Sequence, residues 1–273
     1  MQLVDIGANL THASFHEDLD AVVGRARSAR VGTIIATGTT VLESRLAAEI
    51  ADRLDLYCTA GVHPHHARDC DDATLGELRK LATHPRCVAI GECGLDFNRN
   101  YSPHPDQEKW FIAQLELGLE IGKPFFLHSR DAHPRFAQIL RTHGVKNAVA
   151  HCFTGEKEEL HAYLELGLYI GITGWICDER RGRHLLTLVR DIPADRLLLE
   201  TDSPYLTPRD LHPPPKARRN EPAFLPHILG TVARAVGRSA EEIAAETTRN
   251  AERLFGIRHE SRTSAPSQRA AAA

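Results

Sequence analysis

Short apolar runs alternate with segments of helical period along nearly the whole chain. Eight runs can be read: QLVDI (2–6), GTIIAT (32–37), LYCTAG (56–61), VAIGE (88–92), PFFLH (124–128), AVAH (148–151), LYIGI (168–172) and LLLE (197–200). Each is too short for a helix and reads as a buried strand. The stretches between them carry apolar side chains at helical spacing, as in Leu19, Val22, Val23 and Ala26, or Leu42, Leu46, Ala47 and Ile50. Gln107, Phe111, Gln114, Leu115 and Leu119 repeat that period over a longer span. Strands alternating with helices imply parallel pairing through crossovers. Eight such units within about 250 residues predict one closed (β/α)8 barrel of the TIM type rather than an open doubly wound sheet. The first run is not followed by Gly-x-Gly-x-x-Gly, which also counts against a dinucleotide fold. Two last helices, Pro222–Val236 and Ala240–Phe255, are expected to close the back of a single domain over residues 1–257. Residues 258–273, rich in Ser, Arg and Ala and without apolar period, are expected to be a disordered tail.

The polar residues that follow the runs form a consistent set. In VAIGECGLDFNRN a strand is expected to stop between Gly91 and Gly94, with Glu92 at the stop and Asp96, Asn98, Arg99 and Asn100 beyond it. Such a crowd belongs to a site at the carboxyl edge of a sheet or to a turn bonding its own backbone. The other runs decide between the two. The first is followed by Gly7 and Asn9, the third by His63 and His65, the fifth ends in His128, the sixth in His151, and the eighth leads to Asp202. In a barrel all of these positions converge on one mouth, where catalysis sits. Imidazole nitrogens and carboxylate oxygens together hold a divalent cation able to activate water. Glu92, His128 and His151 are therefore read as core ligands, with Asp202 as a further ligand or as the base that takes the proton of water. Cys93 and Cys152 flank the ligands without a base beside them and read as packing thiols.

Composition narrows the setting. A formal net charge of −3 excludes indiscriminate nucleic-acid binding, so contact with a polyanion needs a local basic patch. Arg99 and Arg130 are candidates beside the ligands. The segment TPRDLHPPPKARRNEP, with Arg209, Lys216, Arg218 and Arg219, is another; its prolines predict a stiff irregular loop. Arg219 has the alternative of pairing with Glu221 or another carboxylate. Tyr205 offers a stacking face for an unpaired base, whereas Trp175 is expected in the core. Six cysteines without a CxxC pair predict reduced thiols and a cytoplasmic address. The start, MQLVDIGANL, does not read as a signal peptide, and no apolar stretch is long enough for a membrane span. The even spread of charge carries no dimer signature, and a monomer is expected.

The segments AGVHPH, AIGECGLDFNRN, FFLHSRDA, HCFTG, YIGITGW, LLLETDSPYL and RRNEPAFLPHI together resemble the TatD family of metal-dependent deoxyribonucleases, within the amidohydrolase-like barrels, over residues 1–257. They look closest to the family's nuclease proper, a magnesium-dependent 3′→5′ exonuclease that prefers single strands and is linked to oxidative DNA repair. The resemblance implies metal ligation by Glu92, His128 and His151, with His63 and Asp202 lining the site. His65, Arg99, Arg130, Tyr205 and Arg219 are the expected substrate contacts. Magnesium is the implied ion, although two histidines and a carboxylate suit manganese or zinc at least as well. One departure stands out. Where the wider family carries Asp-x-His-x-His on the first strand, this chain has Asp5-Ile6-Gly7-Ala8-Asn9, which predicts a weaker first metal position. The alternatives are a metal-dependent ester or amide hydrolase, such as a deacylase of charged tRNA, and a nucleic-acid-binding protein without catalysis.

Overall fold

Eight strands follow one another around the molecule in the order of the sequence. They are β1 (Leu3–Ala8), β2 (Val31–Ala36), β3 (Tyr57–Ala60), β4 (Cys87–Asp96), β5 (Phe125–Arg130), β6 (Ala148–Ala150), β7 (Tyr169–Ile172) and β8 (Leu197–Leu199). Every neighbouring pair is parallel. The computed structural model describes residues 2–215 and 218–257; Lys216 and the segment 258–273 lie outside the described residues. The ring closes where Ala8 pairs with Ser203, the Asp202 N–H donates to the Gly7 carbonyl at 2.9 Å, and the Asn9 N–H donates to Ser203 at 2.7 Å. The predicted (β/α)8 barrel is thus the observed fold.

The barrel is filled from all eight strands. Val4 and Ile6, Ile35, Val88 and Ala89, Phe126, Val149, Tyr169 and Leu198 form one buried cluster with the partly buried Tyr57. An outer layer of helices covers the ring, because each helix has an apolar stripe to bury. The helices are α1 (Leu19–Ser28), α2 (Val41–Leu54), α3 (Thr74–Ala82), α4 (His104–Ile121), α5 (His133–Thr142), α6 (Lys157–Glu165), the single turn α7 (Leu185–Leu188), α8 (Leu225–Val236) and α9 (Ala240–Phe255). Leu254 and Phe255 of α9 join the interior cluster, so this helix plugs the end opposite the strand C-termini. Asn250 fastens it by donating to the carbonyls of Ala194 and Leu197, and Ser239 with Glu242 makes a capping box at its start. Such a cap stabilises a helix by about 1 kcal/mol. The expectation of two closing helices is met.

The expected stop between Gly91 and Gly94 is not observed: β4 runs through both glycines to Asp96. A Cβ on Gly91 would lie 2.1 Å from the Phe126 carbonyl oxygen, and one on Gly94 would lie 1.9 Å from that of His128. These glycines let β4 press against β5 instead of ending it. Between Ile90 and Cys93 the register slips, three steps on β4 matching two on β5 from Phe125 to Leu127. A bulge of this kind re-aims the side chain it carries, and here that side chain is Glu92. Among the described residues no helix is long and apolar enough to cross a membrane.

Candidate active site

Three histidines from three strand ends converge on one oxygen of the re-aimed Glu92. Its Oε1 lies 2.7 Å from His151 Nε2, 3.0 Å from His128 Nδ1 and 3.2 Å from His63 Nε2. Burial opposes the charge of Glu92, but the charges of His151 and His63 and hydrogen bonds from His128 and His151 hold it well below the usual carboxylate range. Burial pushes the His63 ring down to about 4. Against burial, hydrogen bonds to Asp96 and Glu92 raise His128, and the charges of Glu92 and Glu200 raise His151 well above the ordinary histidine range. One donor atom each from His63, Glu92 and His128 lie within 4.8 Å of one another. Imidazole nitrogens and a carboxylate oxygen so gathered are donors that could hold a divalent cation. His151 completes the circle through its short contact with Glu92.

A second tier of carboxylates orients these rings: Asp96, which the sequence already places in the crowd beside Glu92, and Glu200, to which the sequence reading gives no role. Asp96 accepts from His65 Nε2 at 2.7 Å and lies 3.3 Å from His128 Nε2, while its Oδ1 takes the backbone N–H groups of Asn98 and Arg99. Burial opposes its charge, but the bonds from His128 and His65 hold it well below the usual range. Glu200, fully buried, accepts the Cys152 N–H at 2.5 Å and sits 3.4 Å from His151 Nδ1. Carboxylates behind ligand imidazoles fix the tautomer and the ring plane. The signal was present in both cases. Asp96 follows Glu92 in the same stretch, and Glu200 sits at a strand end as the ligands do.

Glu200 also explains the departure at the first strand. A Cβ on Gly7 would lie 2.6 Å from Glu200 Oε2 and 2.7 Å from Phe126 Cζ, and one on Gly171 would lie 2.4 Å from Glu200 Oε1. The room that a side chain at position 7 needs is taken by a carboxylate and by the Phe126 ring, which packs on His151 at 4.5 Å. Asn9, at the second position, donates from Nδ2 to Asp202 Oδ1 at 2.9 Å. Burial pushes the Asp202 carboxyl up to about 7, with the charge of His151 opposing. Asp5 is buried and bonded to the Thr201 N–H at 2.9 Å and the Thr201 hydroxyl at 2.6 Å, tying β1 to the end of β8.

His63, Glu92, Asp96, His128, His151 and Asp202 line a cavity of about 680 Å³, with His65, Arg99, Arg130 and Tyr205 on its walls. Tyr101 and Tyr205 are about half exposed; Tyr101 meets His65 edge-on and Tyr205 meets His12 in the same way. Trp175 packs partly buried against the core, as expected, and also lines the wall, with the Arg181 guanidinium 4.2 Å and that of Arg130 5.9 Å from its ring centroid. Its Nε1 is buried without a hydrogen-bond partner among the described residues. Arg219, read as a substrate contact, is engaged elsewhere. It makes two bonds to Asp18 at 2.8 Å and one to Glu221 at 2.7 Å, lies over the Phe15 ring, and does not reach the cavity. The pairing with Glu221 left open by the sequence is the one found. Burial raises the thiols of Cys93 and Cys152, and the hydrogen-bond partner of Cys152 Sγ among the described residues is the Thr173 hydroxyl, which is no base.

A family model described as TatD related DNase matches residues 4–256. The chain is 54% identical over 259 residues to the "3'-5' ssDNA/RNA exonuclease TatD" of Erwinia tasmaniensis, covering 93% of this chain and 100% of that one. It is 55% identical over 259 residues to the protein of the same name in Pantoea sp. (strain At-9b), with the same coverage. Among solved structures it is similar to the TatD homologue YJJV of Escherichia coli k12, with a TM-score of 0.87 and 27% identity over 94% of this chain and 98% of that one.

Proposed function

Because the chain belongs to the family of TatD-related DNases, we propose that it hydrolyses phosphodiester bonds of single-stranded DNA, and of RNA, from the 3′ end. The relatives carry that activity in their names. The observation that carries the reading in this molecule is the convergence of His63, His128 and His151 on Glu92 at the bottom of a mouth walled by arginines and aromatic rings.

In this reading Glu92, His128, His151 and His63 hold a divalent cation. Nitrogen-rich donors suit manganese or zinc, while the resemblance favours magnesium; magnesium is taken as the physiological ion. The bound cation supplies positive charge against the phosphoryl oxygens and makes water a better nucleophile at neutral pH. Asp202, fixed through Oδ1 by Asn9, keeps its other oxygen for the proton of the attacking water. Arg99 and Arg130 hold the flanking phosphates by charge-assisted hydrogen bonds. His65 and the exposed ring of Tyr205 bracket the terminal nucleotide, the latter stacking on a base whatever its identity, with Trp175 and its arginines on the wall. These cations and rings favour a polyanion with bases over a small neutral ester or amide. Residues 1–257 make up the catalytic unit, with a part in DNA repair or turnover.

The test is degradation of a single-stranded oligonucleotide labelled at its 5′ end, with EDTA, magnesium, manganese or zinc, beside the Glu92→Ala protein. A metal-dependent ladder shortening from the 3′ end, absent from the folded variant, is expected. No cleavage by folded wild type with any of the three metals would favour the deacylase or binding alternatives.

A further inference from the structure

Away from the mouth, a second set of metal-binding side chains comes together from three separate elements. Cys177 ends the 3-10 turn Gly174–Cys177 that follows β7, Asp210 lies in the proline-rich segment after β8, and His227 sits in the first turn of α8. One ligand atom from each lies within 4.8 Å of the others, and His227 Nε2 is 2.6 Å from Asp210 Oδ1. None of the three lines the mouth cavity. Cys177 is buried, whereas Asp210 and His227 reach the surface and leave the outer side of the cluster open to an entering ion.

The surroundings of the sulfur are polar, which a thiol needed only for packing does not require. Thr231 Oγ1 lies 3.5 Å from Cys177 Sγ, and Arg234 Nη2 donates to that same Oγ1 at 2.9 Å. With its lone pair engaged by the guanidinium, the Thr231 hydroxyl can turn its hydrogen toward a thiolate. That is the support expected behind a metal-bound sulfur.

We propose that Cys177, Asp210 and His227 form a second site, distinct from the cluster around Glu92, for a borderline-soft divalent cation of the zinc class. One sulfur, one nitrogen and one oxygen make a donor set that zinc accepts and magnesium does not, with water in the fourth position. Burial pushes the free thiol up to about 12, so binding displaces one proton, as cations do from thiols that coordinate them. The ion would join the two loops that wall the mouth. Cys177 belongs to the turn that carries Trp175, and Asp210 to the loop that carries Tyr205 and Leu206. Those loops already touch: a Cβ on Gly174 would lie 2.2 Å from the Leu206 carbonyl oxygen. The inference does not depend on the nuclease reading.

Cobalt(II), a spectroscopic stand-in for zinc, tests it. Titrated into the full-length chain, cobalt should produce a near-ultraviolet thiolate-to-metal charge-transfer band, which the nitrogen and oxygen donors around Glu92 cannot give. Zinc should abolish the band by competition. Cys177→Ser should lose it, while Cys152→Ser, which removes the thiol beside the mouth, should keep it. His227→Gln changes a partly exposed residue without disturbing the core and should weaken cobalt binding about tenfold or more. A wild-type protein without the band, a band that survives in Cys177→Ser, or unchanged affinity in His227→Gln would each overturn the proposal.

Discussion

The two sides of the barrel mouth solve one positional problem in opposite ways. On the side of β4, β5 and β6, the strand ends deliver Glu92, His128 and His151, and a bulge turns Glu92 to meet the rings. On the side of β8 and β1, the strand end carries Gly7 and Asn9, and the volume over Gly7 is filled by Glu200 and Phe126. One side gathers the lone pairs that the proposed cation would need. The other supplies a carboxylate that supports His151 from behind and an amide that holds Asp202. The missing histidines of the first strand are therefore a rebuilt wall and not a gap in the site. Adding a ligand there would need Glu200 and Phe126 to move.

The comparison can be broken most directly at Asp202, where the rebuilt side meets the chemistry. Asp202→Asn should keep divalent-cation binding and lower the cleavage rate by roughly 10²–10⁴-fold, the usual contribution of a general base. Equal losses of binding and cleavage would instead make Asp202 a ligand. Gly7→His should cost about 3 kcal/mol or more by overpacking, read by denaturant unfolding, and should add no second bound manganese. A stable variant with an extra ion would show that the wall yields.

Glu200→Gln preserves shape and removes charge, and should weaken manganese affinity by about 10–100-fold with the fold retained. Unchanged affinity would mean that His151 is oriented without it. The smallest effect concerns the far edge of the rebuilt side, where Arg219 and Arg25 hold the Asp18 carboxyl down at about 2. A depressed folded pKa gives stability that is present above the ordinary aspartate value and is lost as pH falls toward 2. Asp18 is partly exposed, so the effect is at most about 1 kcal/mol after solvent screening. The stability difference between wild type and Asp18→Asn should be measurable near neutrality and shrink steadily as pH falls from about 4 through about 2.

The barrel was legible because its signal is periodic: each of the eight apolar runs overlaps an observed strand, and both closing helices fall where the pattern put them. The mouth was legible as a list, because His63, Glu92, His128, His151 and Asp202 all follow apolar runs. What the pattern hid is set by contacts between distant segments. Gly91 and Gly94 look like terminators along the chain, yet they exist for the approach of β5. Glu200 looks like the polar end of a strand until Gly7, Gly171 and Cys152 are seen around it. Trp175 reads as a core residue and does pack against the core, but its contact with Arg130 and Arg181 at the mouth appears only in the fold. Arg219 has the composition of a phosphate contact, but Asp18 holds it 2.8 Å away on the outer face. A single sequence names the side chain; only the fold names its partner.

The central claim is that the oxygen shared by three histidines is the seat of a catalytic cation. Manganese binding to the wild-type and Glu92→Gln proteins, followed by electron paramagnetic resonance of the free ion, tests it most directly. The account predicts tight binding by wild type and at least about a hundredfold weaker binding at the mouth of the folded variant, with cleavage lost in parallel. Equal manganese affinity in the two folded proteins would contradict it.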